Sequence, residues 1–500
     1  MTRMRGLRGG NSRVTILLSL AFLVFSSTAC SGQSRLMNIT PAQPSQPSAA
    51  TSAPVGMQNS YADLVSRVSP AVVTIRSTER SRPAQQFPFM DDPQFREFFG
   101  DRLPQQQPRQ VQGVGSGVII NNEGYILTNH HVIDGATEIK VELTDNRTFT
   151  AKLVGSDPPS DLAVLKIDSN NLPAPIPMGD SDKVRVGDAV LALGNPMGIG
   201  QTVTSGIVSA KGRSTGLSDG SFEDFLQTDA AINRGNSGGA LVSVNGELIG
   251  INSQILSPSG GNIGIGFAIP SNMARAVMDQ LVKTGKVRRG MLGVTIQSVS
   301  SDLASSMNLP AARGAIVTSV QTGGPAERAG IKRGDVITAV NNQTVIDNNS
   351  LRNQVASMGP GANVTLTVLR NGRDQSVPVS LAELPDRPRD ESEETSSNEG
   401  GTGNEKYGIT LQVYTATPEN AQRYGLEPGD QGLLVTRVDP AGSAANAGIR
   451  QGDLIQEVNR RPVRNVADFT AAIQQSGARP ALLLVKRRNA VTFLTLRPNS

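Results

Sequence analysis

SDPPSDLAVLKI, residues 156–167, reads as a polar turn running into a short apolar strand. Ser, Asp and Pro set the turn, and LAVLKI at 162–167 is too short for a buried helix but the right length for a strand bounded by turn signals. The same layout recurs on both sides, in AVVTI at 71–75, VGSGVII at 114–120, TEIKVEL at 137–143 and AVLALG at 189–194. Strands of this length at this spacing predict an all-β domain, sandwich or barrel. One helix closes it near residue 287, with Ser271 as N-cap, Met273, Val277 and Leu281 on one face, and Gly285 ending the last turn.

Composition agrees with a β-rich, modular chain. Five hundred residues predict about three domains. The 52 Gly and 30 Pro favour turns over long helices, and 37% apolar with 18% charged residues suits globular folding. The net charge of +4 is small and spread along the chain, so no footprint for nucleic acid is present.

The N-terminus carries Arg3, Arg5, Arg8 and Arg13, then VTILLSLAFLVF at 14–25 and the small residues SSTAC. This predicts a signal peptide over 1–29 and export; an uncleaved signal anchor is the alternative. Cys30 is the only cysteine, so no intramolecular disulfide forms. Its place after Ala29 makes it a candidate lipidated N-terminus attaching the protein to a membrane, although Ser27 stands where the motif prefers Leu; the alternative is cleavage nearby that leaves an inert thiol. Residues 30–58 carry few large apolar groups and read as a disordered tether.

The first β domain spans 59–287, interrupted at 82–112 by a Gln-, Pro- and Phe-rich segment expected to be a regulatory or assembly loop. The chain then repeats itself. GGPAERAGIKRGDVITAVNNQTV at 323–345 matches AGSAANAGIRQGDLIQEVNRRPV at 441–463, so Gly330 corresponds to Gly448 and Asp335 to Asp453. Two tandem small domains follow, 288–384 and 405–500, joined by an acidic flexible linker at 385–404.

GNSGG, 235–239, is the strongest chemical signal. Glycines around Ser237 let the chain turn so that the N–H groups of Gly235 and Ser237 point at one spot, where an oxyanion would sit. An ordinary serine in a glycine turn looks the same locally, and context decides. A serine needs a base, and the only two histidines are His130 and His131, which cannot both face one hydroxyl. The imidazole needs a carboxylate, and Asp161, at the mouth of an apolar strand, must have a partner.

T-N-x-H-V-I at 128–133, S-D-P-x-x-D-L-A-V-L-K-I at 156–167, L-G-N-P at 193–196 and Q-T-D-A-A-I-N-R-G-N-S-G-G-A-L at 227–241 together resemble the Deg/HtrA family of chymotrypsin-fold serine proteases, over roughly residues 59–500. The resemblance implies a mainly β chain: a chymotrypsin-like double β-barrel over 59–287, then two PDZ domains. It makes His131 the base, Asp161 its orienting carboxylate and Ser237 the nucleophile, with the oxyanion hole at Gly235, Asn236 and Ser237, and leaves His130 without a role beyond packing. The S1 pocket falls to Ile232, Ile255 and Leu256, favouring small aliphatic residues before the cut, with Asp229 away from its base. Arg213 matches the family's sensor-loop arginine; Met197 stands where many members have Phe, in a loop rearranged on activation. M-L-G-V, Met291, Leu292, Gly293 and Val294, fits the carboxylate-binding loop of the first PDZ domain, for hydrophobic C-terminal peptides. Y-G-I-T at 407–410 fits the second more weakly, where a packing role is nearly as good a reading.

The expected activity is ATP-independent endoproteolysis of unfolded or misfolded exported proteins in the periplasm, through an acyl-enzyme, by a homotrimer or larger cage with Tyr61 as a trimer anchor. No cofactor or metal is expected, since a lone Cys and two His leave little from which to build a zinc site. The rival readings are a chaperone or holdase, or a PDZ adaptor, with an idle protease domain.

Overall fold

The computed structural model describes residues 60–497 except 81–109, 196–199, 216–220, 234, 257–260, 386–406, 415–416, 428, 478 and 489. The signal, Cys30, the tether, Met197, nearly all of the 82–112 insertion and nearly all of the acidic linker lie outside the described residues.

The five apolar runs are all strands. A seven-stranded antiparallel sheet is built from β1 (Val72–Arg80), β2 (Gln110–Ile119), β3 (Tyr125–Thr128), β4 (Ala136–Glu142), β5 (Thr148–Thr150), β6 (Lys152–Asp157) and β7 (Leu162–Lys166), in the order β5-β4-β1-β2-β3-β7-β6. Its two outer strands are joined by Ala151 alone, which brings the ends of the sheet to one point. Leu162 to Leu165 are all fully buried, so β7 is covered on both faces and reads as a continuous rather than alternating run. The second half closes as a barrel from β8 (Ala189–Gly194), β9 (Thr202–Arg213), β10 (Phe225–Thr228), β11 (Ala240–Ser243), β12 (Leu248–Ile255) and β13 (Gly266–Pro270).

Helix α1 (Ala62–Val68) buries Leu64 and Val68 against the first sheet, with Tyr61 half-buried beside them. Helix α2 (His130–Ile133) is one turn at the end of β3. Helix α3 (Ser271–Thr284) is the expected closing helix, with Val277 and Leu281 buried and Gly285 at φ 75° donating its N–H to the Leu281 carbonyl at 2.9 Å. Its N-cap differs from the expectation. Pro270, the last residue of β13, holds that place, and Ser271 is the first helical residue, its hydroxyl drawn to the Gly179 carbonyl at 2.9 Å.

The tandem units are two copies of one sheet. The first comprises β14 (Gly290–Met291), β15 (Val294–Ser298), β16 (Ala315–Val320), β17 (Val336–Val340), β18 (Gln343–Thr344), β19 (Asn363–Arg370), β20 (Arg373–Ser380) and β21 (Ala382–Glu383), with helices α4 (Ser301–Met307) and α5 (Asn348–Ser357). The second has β22 (Ile409–Val413), β23 (Leu433–Val438), β24 (Leu454–Val458), β25 (Arg461–Pro462), β26 (Ala481–Arg487) and β27 (Ala490–Leu496), with α6 (Val466–Gln474). Strand orders match, β15-β16-β17-β19-β20 and β22-β23-β24-β26-β27. The repeated G-D motif has a physical cause: each Asp is buried and paired, Asp335 with Arg370 at 2.6 Å and Asp453 with Arg487 at 2.7 Å. Each arginine also donates to the repeated glycine's carbonyl, Gly330 or Gly448, at 2.8 Å.

The two repeats pack on each other. Val299, Leu303, Ala304, Ile316 and Val336 form one apolar cluster with Leu482, Leu484 and Phe493. On β15, the Gln297 amide donates to the Phe493 carbonyl at 2.8 Å and accepts from the Phe493 N–H at 2.9 Å, satisfying the outer edge of β27. The first repeat is also fastened to the β domain before it. Arg289 forms a buried bidentate pair with Asp157, at 2.8 and 2.5 Å, and lies 4.4 Å over the Phe222 ring. Asn349 and Asn353 of α5 both donate to the Glu223 carbonyl at 2.7 Å.

Candidate active site

Three elements carry the predicted groups: α2 presents His131, the turn before β7 presents Asp161, and the turn before β11 presents Ser237. Asp161 follows the turn Pro158–Ser160 and sits at φ 54°, a left-handed conformation that Asp tolerates better than most residues. Its carbonyl takes the His130 N–H at 3.1 Å and the Asn129 amide at 2.9 Å, which fixes the start of α2 against β7. Its carboxylate then faces His131, whose Nδ1 lies 2.9 Å from Oδ1 and 2.8 Å from Oδ2, while the His131 N–H donates to Oδ1 at 3.0 Å. With Nδ1–H as the donor, Nε2 is left unprotonated and free to take a proton. The Asp161 side chain is 27% exposed, so it sits at the lip of the core rather than deep beside it.

His130 points elsewhere, as one turn of helix requires. Its Nε2 is 3.6 Å from Asp134 and its Nδ1 is buried without a partner.

Ser237 is reached through Ser253, a residue to which the sequence reading gave no role. The Ser253 hydroxyl donates to Asp161 Oδ2 at 2.9 Å, and the Ser253 carbonyl accepts from Ser237 Oγ at 2.9 Å. One residue of β12 thus touches both the carboxylate and the hydroxyl. The signal in the sequence is NSQ, 252–254, polar residues ending the otherwise apolar run LIGI. Among the described residues no hydrogen bond joins Ser237 Oγ to His131 Nε2; the hydroxyl donates to the Ser253 carbonyl instead.

The turn holding Ser237 is clamped to the first sheet by Ser116 of β2. The Ser116 N–H donates to the Ser237 carbonyl at 2.8 Å and its hydroxyl to the Gly235 carbonyl at 2.6 Å. Gly238 makes the approach feasible: it sits at φ 82°, and a Cβ there would come within 2.1 Å of the Ser116 carbonyl oxygen. Of the three amides in this turn, that of Asn236 is used, donating to the Asn233 carbonyl at 3.0 Å, which removes it as an oxyanion donor. The Ser237 N–H has no acceptor among the described residues.

Ile232 is fully buried in the barrel core, packed against Gly266, and Ile255 joins the same cluster. Leu256 does not; it is 45% exposed. Asp229 accepts the Ile207 N–H at 2.7 Å on the exterior, away from Ile232's core contacts. Arg213 ends β9, exposed, opposite Phe225, and forms no hydrogen bond with the site residues among the described residues. In the first repeat Leu292 is buried and Gly293 sits at φ 74°, their carbonyls held by the N–H groups of Ala326 and Gln321 at 2.9 Å. Met291 ends β14 and Val294 opens β15, an edge strand.

Beside Glu223, burial pushes the Asp224 carboxyl up to about 6, with Asp182 and the helix-capping Asp347 of α5 adding to the rise and Lys211 opposing it. This carboxylate lies where the β domain meets the first repeat.

Residues 115–251 match a trypsin-like peptidase domain, and residues 290–381 and 434–487 each match a PDZ domain. The chain is 44% identical over 441 residues to a probable periplasmic serine protease do/HhoA-like of Haemophilus influenzae, covering 86% of this chain and 91% of that one. It is 43% identical over 441 residues to the periplasmic pH-dependent serine endoprotease DegQ of Escherichia coli, covering 88% and 91%. Among solved structures, the HtrA-type protease AlgW with decapeptide is 49% identical at a TM-score of 0.52, covering 66% of this chain and 100% of that one. The same protease with tripeptide is 45% identical at 0.54, covering 66% and 98%.

Proposed function

Because the chain belongs to the Deg/HtrA family of serine endoproteases, we propose that Ser237, His131 and Asp161 form its catalytic triad and that it cuts unfolded or misfolded proteins in the periplasm. The observation that carries this reading is the double contact of Ser253, which holds the Asp161 carboxylate beside His131 and the Ser237 hydroxyl on the same strand.

The Ser237 hydroxyl turns from the Ser253 carbonyl toward His131 Nε2, loses its proton there and adds to the scissile carbonyl. Asp161 keeps Nδ1–H in place and stabilises the imidazolium. The N–H groups of Gly235 and Ser237 take the oxyanion. As the intermediate collapses, His131 returns the proton to the leaving amine and an acyl-Ser237 ester remains; water, deprotonated by His131, then releases the acid. Ile255 supplies an apolar wall suited to small aliphatic residues before the cut, while Ile232 stays enclosed in the barrel core behind it.

Hydrophobic C termini add along the free edge of β15, with their carboxylate at the Leu292–Val294 loop. The contact of α5 with Glu223 links that domain to the loop following Arg213, and the working form is a trimer with Tyr61 at its contact. The resting hydrogen bond from Ser237 to Ser253 favours a protease that is idle until a peptide binds, which is also where a chaperone reading would stand. The test is degradation of unfolded casein, with and without a hydrophobic C-terminal peptide, beside fluorophosphonate labelling. Labelling and degradation should both rise with peptide and vanish in Ser237→Ala. A chain that stays unlabelled with peptide present refutes the triad assignment and leaves the holdase.

A further inference from the structure

Where the end of α4 meets the second repeat, a pocket of about 350 Å3 opens, lined by Asn308, Arg460, Arg461 and Arg479, with the Arg479 guanidinium donating to the Asn308 amide oxygen at 3.4 Å. No carboxylate lines it, and none of the three guanidiniums has an acidic partner among the described residues.

All three cations are particular to the second copy. Arg460 and Arg461 follow Asn459 in the β24–β25 hairpin, where the first copy has Asn342 and Gln343 after Asn341. Arg479 lies in SGARP, 476–480, whose counterpart in the first copy is the uncharged MGPGA, 358–362. The hairpin holds its second central residue left-handed in both copies, Asn342 at φ 67° and Arg460 at φ 65°. Asn suits that conformation and a long side chain does not, so an arginine there needs a reason other than the turn.

The wall is also positioned. The Asn459 amide is pinned by the Ala472 carbonyl at 3.1 Å and the Ser476 hydroxyl at 2.8 Å, and Arg461 donates to Gln475 at 2.7 Å. A carboxylate offers one charge and two oxygens, enough for one guanidinium fork. A phosphate offers up to two charges and at least two free oxygens, which suits three forks with no competing anion.

We propose that this pocket binds a phosphate-bearing ligand, held by Arg460, Arg461 and Arg479 across the junction of the two PDZ domains. It lies apart from the free edge of β22, where a peptide would add to the second domain.

The test uses the full chain carrying Ser237→Ala, at constant ionic strength set with chloride. Inorganic phosphate is titrated calorimetrically, and vesicles of phosphatidylcholine with or without phosphatidylglycerol are co-sedimented. Saturable binding is expected in one arm or both. It should weaken at least tenfold in the double variant Arg460→Asn with Arg461→Gln, which installs the first copy's own turn, and more modestly in Arg479→Lys. Arg464→Gln, outside the pocket, should bind as the parent does. Binding of free phosphate marks a soluble ligand, and arginine-dependent binding of anionic vesicles alone marks a lipid headgroup; either supports the site. Binding that survives the double variant, or arginine-dependent capture of poly-glutamate without phosphate or vesicle binding, overturns it. Should the double variant misfold by circular dichroism, Arg479→Ala is read in its place.

Discussion

Replacing Asp224 by Asn tests the electrostatics of the seam between the β domain and the first PDZ domain. Burial, then the Asp182 charge, with Asp347 adding and Lys211 opposing, pushes its carboxyl from the ordinary 3.8 up to about 6. The folded chain therefore holds this proton to higher pH than the unfolded chain does. Folding takes up protons between about pH 4 and 6, and stability falls as pH rises through that window. At about 1.4 kcal/mol per tenfold change in proton affinity, the ionised carboxylate costs about 3 kcal/mol at pH 8, about half that at pH 5, and little near pH 4. Asn resembles the protonated acid in shape and cannot ionise. In a Ser237→Ala background, calorimetric unfolding of Asp224→Asn should show the seam's transition raised by roughly 6 to 12 °C at pH 8. The gain should shrink by about half at pH 5. A gain that is the same at both pH values, or a loss at pH 8, refutes the reasoning.

Ser253→Ala removes a donor from the Asp161 carboxylate; hydrogen bonds to ionised groups contribute about 1.5–3 kcal/mol, so kcat on a peptide substrate should fall about 10- to 150-fold with KM little changed. Arg289→Met leaves Asp157 buried and unpaired and should destabilise by about 3–5 kcal/mol, whereas the double variant with Asp157→Asn should recover most of it; thermal midpoints of the four chains in the cycle decide. Gly238→Ala forces a Cβ onto the Ser116 carbonyl in a left-handed residue and should abolish fluorophosphonate labelling even where soluble protein is recovered.

The β architecture was legible because apolar runs such as LAVLKI have one physical reading at that length, and the tandem domains because Gly330 and Asp335 recur as Gly448 and Asp453. The His131 to Asp161 contact was legible in kind, since a base needs a carboxylate. Ser253 was not, because its two contacts run across the sheets and leave no periodic mark in the sequence. The same holds for the Arg289 clasp on Asp157, where the two partners stand 132 positions apart. The Ser271 cap failed for a local reason: a nearby carbonyl, that of Gly179, captured the hydroxyl that would have capped the helix.

Gln297 gives β15 two neighbours at once. Both ends of its amide are occupied by the backbone of β27, so the strand whose rim would receive a peptide also serves as the shelf on which the second module stands. A guest that straightens or twists that rim tilts the shelf. The distal module then registers the arrival without touching the visitor, through this glutamine and the apolar cluster around Phe493.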